Sequence, residues 1–232
     1  MKQELAFTGG EADNWFRRNC DYILSTRCLR QDRVLKLLGR SGLRPAKVLE
    51  VGASNGFRLA SIVETYGAEC SGVEPSAAAV ADGQSRFPEL HLRQGVAASL
   101  PFADGEFDLV IVNFVLHWVD RGRLLSSVAE IDRVLNWEGH LILGDFLPPS
   151  PCRRQYHHLQ GDDVWTYKQD YRRLFTASGI YQEADRTIQR HPTHQAGASA
   201  SADDRTGFFL LRKHAAYVTV VPAPNLDGQV TP

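Results

Sequence analysis

Val48-Leu49-Glu50-Val51-Gly52-Ala53-Ser54-Asn55-Gly56-Phe57 decides the fold of this chain: an apolar strand carrying an acid, a turn of small residues, then an amphipathic helix. Glycine has no β-carbon, so the backbone turns tightly there and lets a ligand approach the carboxyl end of a parallel strand. The free N–H groups of the helix that follows face the same spot. The stretch reads as a site for a nucleotide-like cofactor. A dinucleotide fingerprint would place glycines at 52, 54 and 57, whereas the chain has Gly52, Ser54 and Phe57, so the pyrophosphate-cradling version fits poorly.

The spacing Glu50-x-Gly52-x-Ser54-x-Gly56 resembles motif I of the class I S-adenosylmethionine (SAM) dependent methyltransferases. Their usual form is acid-x-Gly-x-Gly-x-Gly, so Ser54 departs at the middle glycine. Serine is small, and the departure implies altered detail rather than lost binding. Cys70-Ser71-Gly72-Val73-Glu74-Pro75-Ser76 looks like a second strand ending in an acid, where a carboxylate accepts both hydroxyls of a ribose; Glu74 stands at the family's motif II position. Gly95 to Val110 resembles the passage from the adenine loop into the fourth strand, with Val96 where the family often has an acid or similar polar residue. Adenine recognition is then left to backbone groups of Val96, Ala97 and Ala98 and to apolar stacking. Val115-Leu116-His117-Trp118-Val119 resembles the Leu-His-Trp signature after the fourth strand of many small-molecule members. Asp132 to Leu143 resembles motif III, a helix closing on glycine before the fifth strand.

These matches stand in the family's order over about residues 46 to 146, with weaker support to 214. The resemblance, to the small-molecule, type 11-like members, implies an α/β fold: a Rossmann-like seven-stranded sheet with helices on both faces and an N-terminal helical cap. It implies SAM as cofactor, held by Glu50, Gly52, Ala53, Ser54, Gly56, Glu74, Pro75, Val96, Ala97, Ala98, Asn113 and Phe114. The Trp15-Phe16-Arg17-Arg18-Asn19 element resembles the lid helix of some relatives, in which a cation or amide meets the methionine carboxylate of SAM; Arg18 and Asn19 are the candidates.

At 232 residues and 43% hydrophobic, the chain suits a single α/β domain with additions. Its 26 basic and 27 acidic side chains nearly cancel, which argues against nucleic acid or an acidic membrane surface and for a small acceptor. Cys20, Cys28, Cys70 and Cys152 lack CxxC spacing, so reduced and mostly buried thiols are expected rather than a zinc site or disulfides. No apolar run is long enough to span a bilayer and no secretory signal pattern opens the chain, so a cytoplasmic protein is expected.

Helical spacing runs over Glu11 to Ser25 and Leu29 to Gly39, giving a cap over 1–45. Strands are predicted at about 46 to 51, 69 to 74, 89 to 95, 107 to 114 and 140 to 146, with helices near 56 to 66, 76 to 86 and 121 to 135. That alternation argues for a parallel, doubly covered sheet. Pro148-Pro149-Ser150-Pro151 ends the cofactor half. Lys168 to Ser178 reads as a short helix ending at Gly179. Strands at about 180 to 190 and 207 to 213 resemble the reversed final hairpin of the fold, closing a domain over 46–214. Gly197 to Asp204 reads as a surface loop, and 215–232 as a loosely packed tail.

The sulfonium of SAM makes its methyl group electrophilic, so the protein must align an acceptor lone pair and take up any proton released. His117 is the candidate base, because it follows the fourth strand at the sheet's carboxyl edge and an imidazole changes protonation near neutral pH. Trp118, Tyr156, His157, Trp165, Tyr167 and Tyr171, with His158 and Lys168, are candidates to shape an acceptor pocket. A hydroxylated metabolite such as a sugar or polyketide-like compound would suit them. His157, His158, Asp162 and Asp163 do not complete a metal motif, so no metal is expected. His191 and His194 flank a proline in a predicted loop. Two rivals remain: a noncatalytic SAM-fold protein, motivated by Ser54 and Val96, and a nicotinamide oxidoreductase, whose glycine spacing is missing.

Overall fold

The computed structural model describes residues 2–23, 25, 31–159, 163–190 and 204–214. Cys28, Asp162, His191, His194, the tail from Ala215 and all but the last residue of the Gly197 to Asp204 loop lie outside the described residues.

Helices α1 (Lys2–Ala6), α2 (Ala12–Ile23) and α3 (Arg33–Ser41) precede strand β1 (Lys47–Val51). α4 (Phe57–Tyr66), β2 (Glu69–Glu74), α5 (Ala77–Arg86), β3 (His91–Gln94) and β4 (Phe107–Asn113) follow. Then come α6 (Leu124–Val134), β5 (Leu135–Phe146), β6 (Cys152–Gln155), β7 (Trp165–Lys168), α7 (Arg172–Thr176), β8 (Tyr181–Arg190) and β9 (Arg205–Lys213). α1, and the π turn Phe7–Glu11 that joins it to α2, go beyond the expected pair of cap helices. Asp32 caps α3, accepting the Leu35 N–H at 2.9 Å, within the stretch Leu29 to Gly39 whose first two residues lie outside the described ones.

The sheet order is β3-β2-β1-β4-β5-β9-β8, parallel from β3 to β5, with β9 antiparallel to both β5 and β8. Strand order reverses between β1 and β4, and the crevice at the carboxyl ends beside such a reversal is where open α/β sheets bind ligands. Register sets the residues facing it. Val51 pairs with both Val73 and Val112, and Asn113 pairs with Gly144, so the next residues along, Glu74, Gly52, Asn113 and Gly144, stand side by side at one edge.

Both sheet faces are covered, because alternate strand residues pack opposite ways. Val48, Leu109, Ile111 and Ile142 meet Leu37, Leu38, Leu59 and Ile62 of α3 and α4, while Leu49, Val110, Val112 and Leu141 meet Ile131 and Val134 of α6 and Phe175 of α7. A Leu→Ala change at Leu37 or Leu59 would cost about 2–5 kcal/mol.

Two expectations need correction. The helix before the fifth strand does not close on Gly139: α6 ends at Val134, Leu135 already pairs with Phe107, and the chain bulges before Leu109 meets His140. Glu138 takes φ 67 within that bulge, and a β-carbon on Gly139 would lie 2.6 Å from Asn136 Oδ1. The thiols are not mostly buried either. Of the described cysteines Cys70 is buried, Cys20 half-buried and Cys152 exposed. Cys152–Gln155 and Trp165–Lys168 pair as a separate two-stranded antiparallel sheet, β6 with β7. Among the described residues no helix is long and apolar enough to cross a membrane.

Candidate active site

A cavity of about 630 Å³ opens at the carboxyl edge of the sheet, between the N-terminal helices, the ends of β1, β2, β4 and β5, and the segment after β6. Its size lies in the range of small-molecule and cofactor sites.

On the β1–β2 side the loop is held by strand and acid together. Gly52 N–H and Ala53 N–H donate to Val73 O at 2.7 and 3.2 Å. Gly52 takes φ 75, and a β-carbon there would lie 2.4 Å from Val115 Cγ2, so glycine is required twice over. Ser54 takes φ 51, a left-handed conformation that glycine adopts freely and serine adopts at a cost. Its N–H donates to Glu74 Oε2 at 2.9 Å, and Ser76 N–H donates to Glu74 Oε1 at 3.0 Å. Burial pushes the Glu74 carboxyl above its ordinary value, and these two amides pull it back. Gly95 N–H donates to Glu74 O at 3.0 Å, bringing Val96, Ala97 and Ala98 onto the same wall.

Glu50 lies beneath this wall. Strand alternation turns it toward α3 and α4, where it is fully buried and ion-paired with Arg58. Arg58 Nε also bonds the α3 cap Asp32 at 2.9 Å. Burial pushes the Glu50 carboxyl up to about 7 against the attraction of Arg58. The acid of the loop therefore ties the glycine turn to the helical cap.

On the β4–β5 side His117 is 3% exposed, and its Nδ1 lies 2.9 Å from Asp145 Oδ1. With Nδ1 bound to a carboxylate, Nε2 is the ring nitrogen left for a partner. The imidazole sits among rings, with centroids 4.6 Å from Trp118, 5.1 Å from Phe146 and 6.0 Å from Phe114.

Of the candidates read from the sequence, Asn19, Gly52, Ser54, Glu74, Pro75, Val96, Ala97, Ala98, Asn113, Phe114, His117, Trp118, Tyr156 and His157 line this cavity. Arg18, Glu50, Ala53, Gly56, Trp165, Tyr167 and Tyr171 do not. Arg18 is engaged by buried Glu11 and lies 3.2 Å from the Tyr156 hydroxyl. Ala53 packs in the core, and Gly56 caps α4. The Trp165 indole N–H donates to Asp163 at 2.6 Å. Tyr167 N–H donates to His117 O at 2.9 Å, while Tyr171 is buried beside Arg121. Asp145, Arg33 and Arg58 escaped the sequence reading. Arg58 had a local signal, an arginine in the first turn after the loop; Asp145 had only its place at a strand end.

A family model described as a methyltransferase domain matches residues 49–143, the span that carries Gly52, Ser54, Glu74 and His117. Residues 49–143 carry a methyltransferase domain. The chain is 28% identical over 162 residues to a malonyl-[acyl-carrier protein] O-methyltransferase of Halorhodospira halophila, covering 68% of this chain and 52% of the relative. It is 34% identical over 109 residues to a demethylmenaquinone methyltransferase of Beutenbergia cavernae, covering 47% of this chain and 44% of that one. The chain thus spans about half the length of these curated relatives. Its fold is similar to that of the Burkholderia thailandensis 1,6-didemethyltoxoflavin-N1-methyltransferase, solved with its substrate and S-adenosylhomocysteine: the TM-score is 0.68 at 17% identity, over 93% of this chain and 91% of that one.

The methyltransferase domain's residues fit the cofactor of its class. The glycine turn leaves room for close approach, Glu74 stands at the end of β2, and Ser54 Oγ and Asn113 Oδ1, both on cavity-lining residues, are buried without a hydrogen-bond partner. Such orphaned groups cost about 1–3 kcal/mol each unless a ligand meets them.

Proposed function

We propose that this protein transfers the methyl group of SAM to a hydroxyl oxygen of a small molecule, with His117 as the base. The observation that carries the reading is the His117–Asp145 pair at 2.9 Å, set in the cavity that Gly52, Ser54 and Glu74 line. SAM supplies an electrophilic methyl group, so the protein's own work is orientation and proton removal. In this reading Glu74 accepts from the ribose hydroxyls, backbone groups of Val96 to Ala98 meet the adenine, and Asn113, Phe114 and Asn19 flank the methionine portion. Arg33 and Arg58 are the cations lining the cavity among the described residues; Arg58 is held by Glu50 and Asp32, so Arg33 takes the carboxylate role first considered for Arg18. His117 accepts the hydroxyl proton on Nε2 while Asp145 stabilises the imidazolium. Trp118, Tyr156 and His157 contact the acceptor; Tyr167 and Tyr171 support them from behind.

The relatives' names span oxygen and nitrogen methylation, so the accepting atom rests on the base rather than on likeness. The near-neutral charge supports a small acceptor over nucleic acid. Calorimetric titration with SAM and with NADH, alongside Glu74→Ala, tests the reading. Saturable SAM binding, weakened at least tenfold by the substitution, supports it. A folded protein that ignores SAM, or binds it without turning over any hydroxylated acceptor, is the noncatalytic binding protein instead.

A further inference from the structure

The acceptor half of the cavity is built of rings. Trp118 is its hub, with centroids 5.1 Å from Phe7, 5.9 Å from Trp15, 5.8 Å from Tyr156 and 4.6 Å from His117, and all five line the cavity. The rings come from four separate places: the turn after α1, α2, the end of β4 and the end of β6. The Trp118 indole N–H is buried without a partner, a donor that an oxygen of a bound molecule would satisfy.

Charge is distributed the other way. Among the described residues lining the cavity the only Lys or Arg are Arg33 and Arg58, both beside Asp32 on the α3–α4 side. The carboxylates Glu4, in the helix before Phe7, and Asp120, two residues after Trp118, also line the cavity. Burial, with His157 and Arg18 as neighbours, favours the neutral form of His158. The cations behind the rings are already paired, Arg18 with Glu11 and Lys168 with Asp204 at 3.0 Å, so among the described residues an anionic acceptor finds no cation lining the cavity beside His117.

We propose that the acceptor is a flat, uncharged aromatic molecule bearing a phenolic or enolic hydroxyl, stacked against Trp118 with that hydroxyl at Nε2 of His117. The inference rests on the methyl-transfer reading and narrows it. Flat rings gain most from a wall of rings, each pair adding about 0.5–1.5 kcal/mol beyond area burial. The base points the same way. Imidazoles titrate near about 6.5 and phenols near about 10, so the proton transfer is far closer to matched than for an aliphatic alcohol, whose acidity is nearer that of bulk water at about 15.7. The step balances. The phenolic proton passes to Nε2, the O–CH₃ bond forms as the S–CH₃ bond breaks, and the sulfonium sulfur keeps the bonding pair as a neutral thioether. Asp145 compensates the imidazolium until its proton leaves to solvent.

The test uses the full chain and three probes of one size: 1-naphthol, 1-naphthoate and decahydro-1-naphthol. Binding is measured by calorimetry with S-adenosylhomocysteine present, and methyl ether formation by chromatography with SAM. The expected result is that 1-naphthol binds at least tenfold tighter than either other probe and yields its methyl ether. Trp118→Leu raises the 1-naphthol Kd about tenfold, Trp118→Phe less, and both leave the SAM Kd within twofold. Naphthoate binding as tightly as naphthol overturns the uncharged acceptor, and decahydronaphthol binding as tightly overturns the flat one. Naphthol that fails to bind, or binds without ether formation, while SAM binds normally overturns the proposal as a whole. Absence of SAM binding in the folded protein overturns the methyl-transfer reading itself. If Trp118→Leu loses SAM binding through misfolding, Trp15→Leu replaces it, with the same weakening of naphthol expected and an unchanged Kd counting against the stacking wall.

Discussion

Asp145 grips His117 at two points: Oδ1 lies 2.9 Å from the ring Nδ1, and Oδ2 accepts the His117 backbone N–H at 3.3 Å. The carboxylate fixes both where the ring stands and which nitrogen carries the proton. Asp145→Asn keeps the shape but lets the amide donate to Nδ1, which favours the wrong tautomer. The expected outcome is a fall in kcat of about 10²-fold or more, with the SAM Kd unchanged by calorimetry. His117→Ala is expected to lose about 10²–10⁴ in kcat. A change in KM alone for both variants would make the pair a structural strut.

Ser54 occupies a glycine-like conformation at φ 51 in the loop that touches Glu74. Ser54→Gly relieves the left-handed strain but removes the buried hydroxyl that the cofactor would meet, so SAM affinity is expected to fall by less than about tenfold. Ser54→Val places a β-branched side chain where it is a true outlier, and the loop must shift. SAM affinity should then fall at least tenfold while far-ultraviolet circular dichroism stays native. Equal affinity for the two variants would show that the turn does not shape the cofactor site.

Asp13 of α2 accepts the Ser76 Oγ–H at 2.6 Å and the Ala78 N–H at 3.1 Å, fastening the cap helix to the start of α5. The Ser76 hydroxyl and then the Ala78 amide hold its carboxyl below the ordinary value. Asp13→Ala removes an anchor worth about 1 kcal/mol, the scale of a lost helix cap. Faster amide exchange across residues 12–23 and a SAM dissociation rate raised several-fold are expected. Unchanged exchange there would mean that the other contacts of the cap suffice, among them the Gln3 amide bonded at 2.7 Å to Trp118 O.

Much of this site is legible in the sequence because its signals are local. The run Val48 to Phe57 states strand, turn and helix within ten residues, and Glu74 ends the next apolar strand. Parallel register then carries Gly52, Glu74 and Asn113 to one edge without further information. The His117–Asp145 pair joins strand ends 28 residues apart and appears only once β4 and β5 are paired. Aromatic composition marks 152 to 171 as close to the site, but it does not say which rings face in. Tyr156 lines the cavity, whereas Tyr167 is spent on the His117 carbonyl and on Arg121, whose guanidinium lies 4.3 Å from its ring centre. Arg18 shows the same limit, since its partner Glu11 sits in a π turn that no periodicity announces.

The loop from Gly95 to Leu100 is clamped from below, and that clamp titrates. Glu130 Oε2 accepts the Leu100 N–H at 2.7 Å, and Arg133 binds Glu130 as well as the Leu100 and Phe102 carbonyls, at 3.0 and 2.7 Å. Arg133 foremost holds the Glu130 carboxyl down to about 2 from its ordinary 4.5. A depressed carboxyl binds fewer protons folded than unfolded, so its stabilisation is present in full above about 4.5 and is lost as pH falls from there toward 2. Glu130→Gln removes that titration while leaving an oxygen for Leu100 N–H. Urea unfolding in steps from pH 5 to 2.5 should show a shallower loss of stability for the variant. The cost at pH 7 should be about 0.5–1 kcal/mol, the scale of a solvent-screened pair. Identical slopes for the two proteins would mean that the Glu130–Arg133 contact does not stabilise the loop in solution.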